Sequence, residues 1–364
     1  MSHYEQRLEA DLAAIREHTR RLSTAAHGAL QNALQSLLSG NRKLAYTTIL
    51  GDAWINVRSR ELDAHCHRLI ARHLPSAGHL RYMSAVIRTA LQLERLGDYA
   101  VTIAREGVQL STPLENALAR QLELVSDQAI RMLGKALDAF HEGNAEAARA
   151  AMDLGASMEN ILDEIYADLA SDPDAARTKD LLALFVVFNM IKRVSDQAKN
   201  ICEETLFTVT GEIKRPSVHS VLFLDEDNAC LSQLAEAIAQ KNHSGRARFA
   251  SAGQTAAAAI DVGLKAFLED LGFDLGMARP KPFSATPESL SAYFVVVSLD
   301  GPIERYAGKI PFHTSVLEWD LGPGPGGLEG EALQARYTEL YREISAHVRD
   351  LVETLCGDER DLLT

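Results

Sequence analysis

The stretch Leu93-Glu94-Arg95-Leu96-Gly97-Asp98 lies within a long segment whose apolar residues recur at steps of three and four. That spacing predicts a helix with one buried face. Glu94 and Asp98 are four positions apart on that face, so a helix holds their carboxylates side by side. Two carboxylates on a burying face must take up protons, pair with a base or bind a metal ion. The spacing fits an ordinary pair on a solvated edge of the face equally well.

The pattern is helical from His3 to about Thr210, and five breaks divide it into six long helices. The breaks fall at Gly40-Asn41, Leu74-Pro75, Ser111-Thr112-Pro113, Gly143-Asn144 and Asp172-Pro173.

The second group of three helices repeats the first. Gly143-Asn144 ends the fourth helix as Gly40-Asn41 ends the first. Met158-Glu159 then aligns with Ile55-Asn56 at the same offset, and Ile191-Lys192-Arg193-Val194-Ser195-Asp196 aligns with the opening stretch. A duplicated three-helix unit predicts a six-helix bundle.

Length, charge and cysteine content narrow the class of protein. A chain of 364 residues is long enough for two or three domains. The formal charge of −13 argues against nucleic acid and against an anionic membrane surface as direct partners. The four cysteines form no Cys-x-x-Cys pair, which indicates reduced thiols. Because no signal-peptide core or long apolar run is present, we expect a cytoplasmic protein that does not insert into a membrane.

Roughly the first 210 residues resemble the PhoU family. The resembling segments are Gly40-Asn41, Ile55-Asn56, Leu69-Ile70-Ala71-Arg72-His73-Leu74-Pro75 and the opening stretch. The resemblance implies a homodimeric regulator that works with the phosphate ABC transporter and a phosphate-sensing histidine kinase. It also implies divalent or ferric metal ions (iron, zinc, manganese or magnesium) at acidic motifs on the third helix of each repeat. Glu94 and Asp98 match that motif.

The second repeat keeps only part of the motif. Asp196 matches, but Lys192 stands where the resemblance places an acid. The ammonium of Lys192 could supply the positive charge that a metal would bring. A surface ion pair worth roughly a few tenths of a kcal/mol explains the pattern as well. Asp52 and Asp63 on the second helix are weaker candidates for additional oxygen ligands at the Glu94 site.

After Gly211 the pattern changes to strands that alternate with helices, which predicts a Rossmann-like parallel sheet. The predicted strands are 218–224, 246–251, 293–298 and 315–319, and the predicted helices are 229–240, 256–271 and 331–355. The predicted domains are 1–108 and 109–212 for the two repeats and 217–358 for the α/β part.

The α/β part resembles the low-molecular-weight protein tyrosine phosphatase and arsenate reductase family. The resembling residues are Val221-Leu222-Phe223-Leu224, Asn228, Cys230, Ser232, Ala235-Glu236-Ala237, Ser251-Ala252-Gly253, Arg279-Pro280-Lys281-Pro282 and Trp319-Asp320. In that family the loop after the first strand carries a cysteine nucleophile and an arginine that grips phosphate. Asp225 and Leu231 stand at those two positions here. The general-acid position falls on Gly324, so all three catalytic roles are missing.

The loop after the first strand is expected to bind phosphate poorly. Backbone N–H groups that open onto a helix favour an anion by about 1 kcal/mol. The carboxylates of Asp225, Glu226 and Asp227 oppose it. Cys230 alone is expected to be a small buried side chain rather than a catalyst.

These features favour a regulator that is not an enzyme, with a phosphatase-like domain kept as a sensor or docking surface. The alternative is a phosphatase or arsenate reductase that acts through a rearranged site, with Asp225 as phospho-acceptor. No nearby arginine or lysine is evident for that chemistry. A third hypothesis is that the C-terminal domain only mediates dimerisation.

Overall fold

The chain folds into two compact units, Met1–Arg215 (unit 1) and Pro216–Thr364 (unit 2). A computed structural model describes residues 3–112, 114, 116–154, 178–212, 218–276, 278–311, 314–322 and 324–357. Across these residues, no helix combines the length and the apolar character that crossing a membrane requires.

Unit 1 is a helical bundle, as predicted. Its described helices are α1 His3–Ser39, α2 Arg42–His73, α3 Ala77–Gln109, α4 Asn116–Glu142, α5 Ala145–Asp153 and α6 Thr178–Thr210. The predicted break at Asp172-Pro173 and the aligned pair Met158-Glu159 lie outside the described residues.

The two Gly-Asn breaks have the same geometry, which shows the internal repeat directly. Gly40 and Gly143 have φ angles of 65° and 63°, a left-handed conformation that favours glycine at a helix end. Each following asparagine then caps the next helix. Asn41 Oδ1 accepts the N–H of Leu44 at 3.1 Å, and Asn144 Oδ1 accepts the N–H of Ala147 at 3.0 Å.

The third helices of the two repeats, α3 and α6, pack together at the centre of unit 1. Their buried apolar residues, such as Leu93 and Ile191, belong to a single core that both repeats share. Arg88 on α3 makes a bidentate ion pair with Glu204 on α6, with both N···O distances at 2.6 Å. The Arg88 guanidinium also lies 4.9 Å from the ring centre of Phe207. Such paired hydrogen bonds fix the register of the two helices.

Unit 2 contains a four-stranded parallel sheet in the order β2-β1-β3-β4. Its elements are β1 Ser220–Asp225, α7 Leu231–Asn242, β2 Arg248–Gly253, α8 Val262–Asp270, α9 Pro287–Leu290, β3 Val295–Ser298, a 3₁₀ turn Ile303–Arg305, β4 Ser315–Glu318 and α10 Gly330–Cys356. Because β1 is covered on both faces, alternate residues such as Phe223 and Leu224 enter two different core clusters.

One predicted helix is shorter than expected. The sequence predicts a helix over 256–271, but α8 begins at Val262. The N–H groups of the preceding segment donate to carbonyls at the end of β1 and in the loop after it, which holds this segment against the loop in a non-helical conformation. These hydrogen bonds join Gln254 to Asp225, Thr255 to Glu226 and Ala257 to Asp227.

The strand order places a crevice at one edge of the sheet. β1 lies between β2 and β3, so the chain leaves β1 and β3 toward opposite sides. Open parallel sheets bind ligands outside the carboxyl ends of their strands at such a switch point. Asp225 ends β1 and Asp300 follows β3 at this edge.

Candidate functional site

The carboxylate of Asp225 accepts hydrogen bonds from backbone N–H groups of the loop that follows β1. Its Oδ1 accepts the N–H of Asn228 at 2.6 Å, and its Oδ2 accepts the N–H of Ser232 at 2.9 Å. Ser232 lies in the first turn of α7, so the carboxylate sits at the positive end of that helix. A bound oxyanion would need these same donors. Asp225 therefore acts as an internal anion in the position where a ligand would bind.

Asp225 is almost fully buried, with 3% of its surface exposed. Burial raises the pKa of the Asp225 carboxyl to about 6, and the nearby charge of Asp227 acts in the same direction. The two N–H donors oppose that change because they stabilise the charged form. At neutral pH the carboxylate is mainly ionised and keeps both hydrogen bonds.

Asn228 fixes the loop from its centre. Its φ angle of 52° is in the left-handed region. Its side-chain amide donates to the hydroxyls of Ser232 at 2.7 Å and Ser251 at 2.9 Å. The amide oxygen accepts from Gln233 Nε2 at 2.9 Å and from the N–H of Lys281 at 2.8 Å. Both amide hydrogens and the oxygen are thus engaged, so this buried side chain leaves no polar group unpaired.

Gly253 lets β2 approach the loop closely. A Cβ at this position would lie 2.5 Å from the Asn228 nitrogen and 2.7 Å from the Asp227 carbonyl carbon. A side chain there would push the loop away from β2. Gly253 belongs to the motif Ser251-Ala252-Gly253, but the sequence does not predict this contact, because only the formation of the sheet brings the loop and β2 together.

Three further positions from the sequence comparison are Cys230 and Leu231, after β1, and Gly324, after β4. Burial and the nearby Asp261, Asp225 and Asp227 raise the pKa of the half-buried Cys230 thiol far above its usual value, so it stays protonated and is a poor nucleophile. Leu231 packs into the core of unit 2. Gly324 is exposed and has no side chain that could donate a proton.

An arginine does approach the loop, contrary to the expectation that no cation is near. Arg305 Nη2 lies 3.5 Å from Glu226 Oε2, and Arg305 Nη1 donates to the Asp300 carbonyl at 2.6 Å. Asp300 in turn accepts the N–H of Glu226 at 3.0 Å and a hydrogen bond from the Tyr306 hydroxyl. Arg305 follows β3, far from the loop in sequence, so no local pattern could reveal it.

In unit 1, the carboxylate of Asp52 on α2 faces Gly97 on α3. A Cβ at residue 97 would lie 2.8 Å from Asp52 Oδ1, so glycine is what allows this close approach. Asp52 Oδ2 accepts a hydrogen bond from Asn56 Nδ2 at 2.8 Å, whereas the buried Oδ1 has no hydrogen-bond partner. Burial raises the pKa of Asp52, and the charge of Asp98 raises it further.

The structure brings Asp52 and Asp98 together at the α2–α3 seam. Glu94, one turn before Asp98, is half-buried, and Asp98 is exposed. The pair therefore lies at the rim of the buried face of α3, not within it. Among the described residues, no three His, Cys, Asp or Glu side chains are grouped closely enough to hold a metal ion. The unpaired Asp52 oxygen beside a second carboxylate nevertheless suits a hard cation whose remaining ligands are water.

Asp63 lies apart from this seam. It is 11 residues after Asp52, which corresponds to about 16 Å along α2. The hydroxyl of Ser59 donates to the Ala90 carbonyl at 2.9 Å, which joins the middle of α2 to the middle of α3. Asp63 instead contacts His67 on its own helix at 3.5 Å.

In the second repeat, Lys192 is half-buried and Asp196 is exposed on α6. Ser195 stands at the position that Gly97 occupies in the first repeat, and it is buried. The residues aligned with Asp52 and Asn56 lie outside the described part of the chain.

Residues 19–107 and 122–205 match the family model for the PhoU domain. Unit 1 belongs to the PhoU family. A phosphate-specific transport system accessory protein PhoU homolog from Pseudomonas putida is 27% identical over 214 residues, covering 57% of this chain and 83% of that protein. The crystal structure of PhoU from Pseudomonas aeruginosa is similar at 25% identity with a TM-score of 0.54, covering 56% of this chain and 99% of that chain. The tandem of three-helix PhoU repeats is thereby confirmed.

A structure described as an arsenate reductase in the oxidized state is also similar, at 20% identity and a TM-score of 0.33. The match covers 38% of this chain and 99% of that chain. The fold of unit 2 is established by its own strand pairings, with β1 paired to both β2 and β3.

Removing the internal carboxylate should open the loop to an anion. In Asp225→Ala the N–H groups of Asn228 and Ser232 lose their acceptor, so we expect inorganic phosphate to bind there with a Kd on the order of 1 mM or weaker. The wild-type loop should not respond. Amide NMR signals of Asn228 and Ser232, followed during a phosphate titration of the full chain, measure the effect.

Asp225→Asn is the matched control, because its side chain still fills the space beside the N–H groups of Asn228 and Ser232 and should exclude phosphate. A folded Asp225→Ala chain whose loop amides ignore phosphate would show that the carboxylate is not what blocks the site.

Proposed function

We propose that this chain regulates phosphate uptake and phosphate signalling through protein–protein contact. The observation that carries the proposal is the tandem of PhoU domains with one shared core. The relatives that match this tandem are named as accessory proteins of phosphate-specific transport systems. The proposed partners are a phosphate ABC transporter and a phosphate-sensing histidine kinase, and the proposed assembly is a homodimer.

Unit 2 acts in this proposal as a sensor or docking domain without catalysis. Three features support that role: the Asp225 carboxylate occupies the amide donors, the Cys230 thiol is protonated, and Leu231 is buried. The competing proposal is a phosphatase or arsenate reductase with a rearranged site. Arg305 is the observation in its favour, since it could stabilise a transferred group. Its guanidinium, however, already binds Glu226 and a carbonyl.

Unit 1 binds a metal ion in the first repeat only. The unpaired Asp52 oxygen, the adjacent charge of Asp98 and the nearby Glu94 support a site for iron, zinc, manganese or magnesium there. A cation would remove the repulsion between two neighbouring carboxylates. In the second repeat, protonated Lys192 has no lone pair and repels a cation, so Asp196 would be a single ligand.

Loss of the gene tests the proposed function. Deleting it should raise transcripts of phosphate-uptake genes in high phosphate, because a negative regulator is gone, and should change little in low phosphate. A plasmid copy of the gene should restore repression. Unchanged expression at both phosphate levels would refute the function.

The metal proposal predicts an asymmetry between the repeats. Glu94→Ala combined with Asp98→Ala should remove most bound metal, whereas Lys192→Glu should raise the metal content by supplying a second acid. Mass spectrometry of metal in the purified full chain measures both. Asp63→Ala is the control, because it removes an acid about 16 Å away along α2 and should change nothing. Equal metal occupancy at both repeats, seen by anomalous scattering, is the result that contradicts the asymmetry.

The full chain should neither hydrolyse an aryl phosphate nor reduce arsenate above background, because nucleophile, charge partner and general acid are absent from their expected positions. Colorimetric phosphate release and arsenite detection provide the measurement. Turnover that survives rigorous purification and disappears in Asp225→Ala would instead favour the enzyme.

A further inference from the structure

The outward face of α2 carries a stripe of large apolar side chains. These side chains recur at steps of four, four and three, which places them on one face over about three helical turns. They are Tyr46, Leu50, Trp54 and Val57, with 52%, 79%, 46% and 53% of their surface exposed. A contiguous exposed apolar patch of this kind marks a surface that binds another molecule.

The bundle itself does not require this stripe. In the second repeat, Arg149 and Asp153 stand at the positions of Tyr46 and Leu50, and both are exposed. Two charged residues therefore serve the fold equally well at the matching place. The apolar character of the first repeat must have another cause.

Both ends of the stripe are basic. Arg42 and Lys43 precede it, and Arg60 and Arg68 follow it on the same side of the helix. All four are exposed, and their side chains make no ion pair within the part of the chain that the structure describes.

An acidic residue on this face, Glu61, is already paired. Its Oε2 lies 2.6 Å from Nη1 of Arg58. The Arg58 guanidinium also lies 5.4 Å from the ring centre of Trp54, so it flanks the stripe while its charge is balanced by Glu61. The pair is neutral overall, so the charges that remain at the two ends of the stripe are those of its four exposed basic residues.

We propose that the Tyr46–Leu50–Trp54–Val57 stripe docks an amphipathic helix of another protein whose apolar face is bounded by acidic residues at both ends. Helices of about three turns bind in this way through apolar anchors at steps of three and four. The proposal names the contact surface of the proposed regulator and rests on that function.

A second copy of this chain fits the stripe poorly. In a two-fold symmetric pair, the same face meets itself, and antiparallel helices bring opposite ends together. Arg42 and Lys43 would then face Arg60 and Arg68 of the other copy, and like charges repel. Charge thus selects an acidic partner over self-association.

Trp54 provides a direct readout of the stripe. The chain has two tryptophans, and the other, Trp319, is 8% exposed in the core of unit 2. The probe is a synthetic 18-residue amphipathic helix with leucine on one face and glutamate at both ends. Titrated into the full chain, it should shift the Trp54 emission to shorter wavelength. A peptide with lysine in place of glutamate should bind at least about tenfold more weakly.

Leu50→Asp should weaken binding of the glutamate peptide at least about tenfold, because it places a charge at the centre of the apolar contact. Leu182→Asp is the matched control: Leu182 on α6 is 60% exposed, and its loss should leave binding unchanged. Val57→Asp gives a second test should Leu50→Asp fold poorly. Equal affinity for both peptides, or no response of Trp54 to either, would overturn the proposal.

Two further outcomes would assign the stripe differently and so overturn the proposal. A dimer in light scattering that Leu50→Asp abolishes would show that a second copy covers it. Resistance of Trp54 to acrylamide in the free chain would show that its own chain covers it. The peptide assay is independent of phosphate regulation. If the peptide binds but gene deletion leaves the phosphate response unchanged, the proposed function is rejected, whereas the stripe remains a docking surface.

Discussion

The packing of α3 against α6 is the contact on which unit 1 depends. A three-helix repeat cannot cover the apolar faces of its own helices, so the second repeat supplies the missing surface. Leu93 and Ile191 are buried in one continuous core for this reason. The bidentate pair between Arg88 and Glu204 then holds the register of the two helices. Because one side of α3 is packed against α6, its acidic residues lie at the edge of the buried face, next to α2.

That geometry explains which predictions the sequence could support. The spacing of apolar residues and the residue types that form turns are local features of the sequence. The helices, the parallel sheet and the repeated Gly-Asn breaks were therefore predictable. The exposure of Asp98 could not be predicted. The spacing of apolar residues shows which face of a helix is buried, but it does not show how far a neighbouring helix extends over that face. The start of α8 depends on hydrogen bonds to a loop some 30 residues earlier. Arg305 reaches Glu226 only because β1 and β3 are adjacent strands.

Two aspartates, Asp225, which is buried, and Asp52, which is half-buried, show how the surroundings decide the role of one residue type. Asp225 has both carboxylate oxygens bonded to backbone N–H groups at the start of a helix. Both oxygens therefore have a hydrogen-bond partner, although burial still raises the pKa of this carboxyl to about 6. Asp52 has one oxygen bonded to Asn56, one buried oxygen unpaired, and the charge of Asp98 nearby. Of these two aspartates, the one with an unpaired buried oxygen is therefore Asp52 in unit 1.

The same reasoning relates the two surfaces of unit 1 that we propose to be functional, the metal site and the docking stripe. The Asp52 carboxylate lies on the side of α2 that faces α3, and Tyr46, Leu50 and Trp54 lie on the outward side of the same helix. A cation bound between Asp52 and Asp98 would lower the repulsion across the α2–α3 seam and hold the two helices together. A partner helix on the outward side would meet an α2 whose position that cation helps to set. Metal binding and docking would then be coupled through one rigid helix, and the coupling would act equally in both directions. Metal should strengthen docking of the glutamate peptide, and the Glu94→Ala, Asp98→Ala chain should lose that effect while keeping the apolar contact itself.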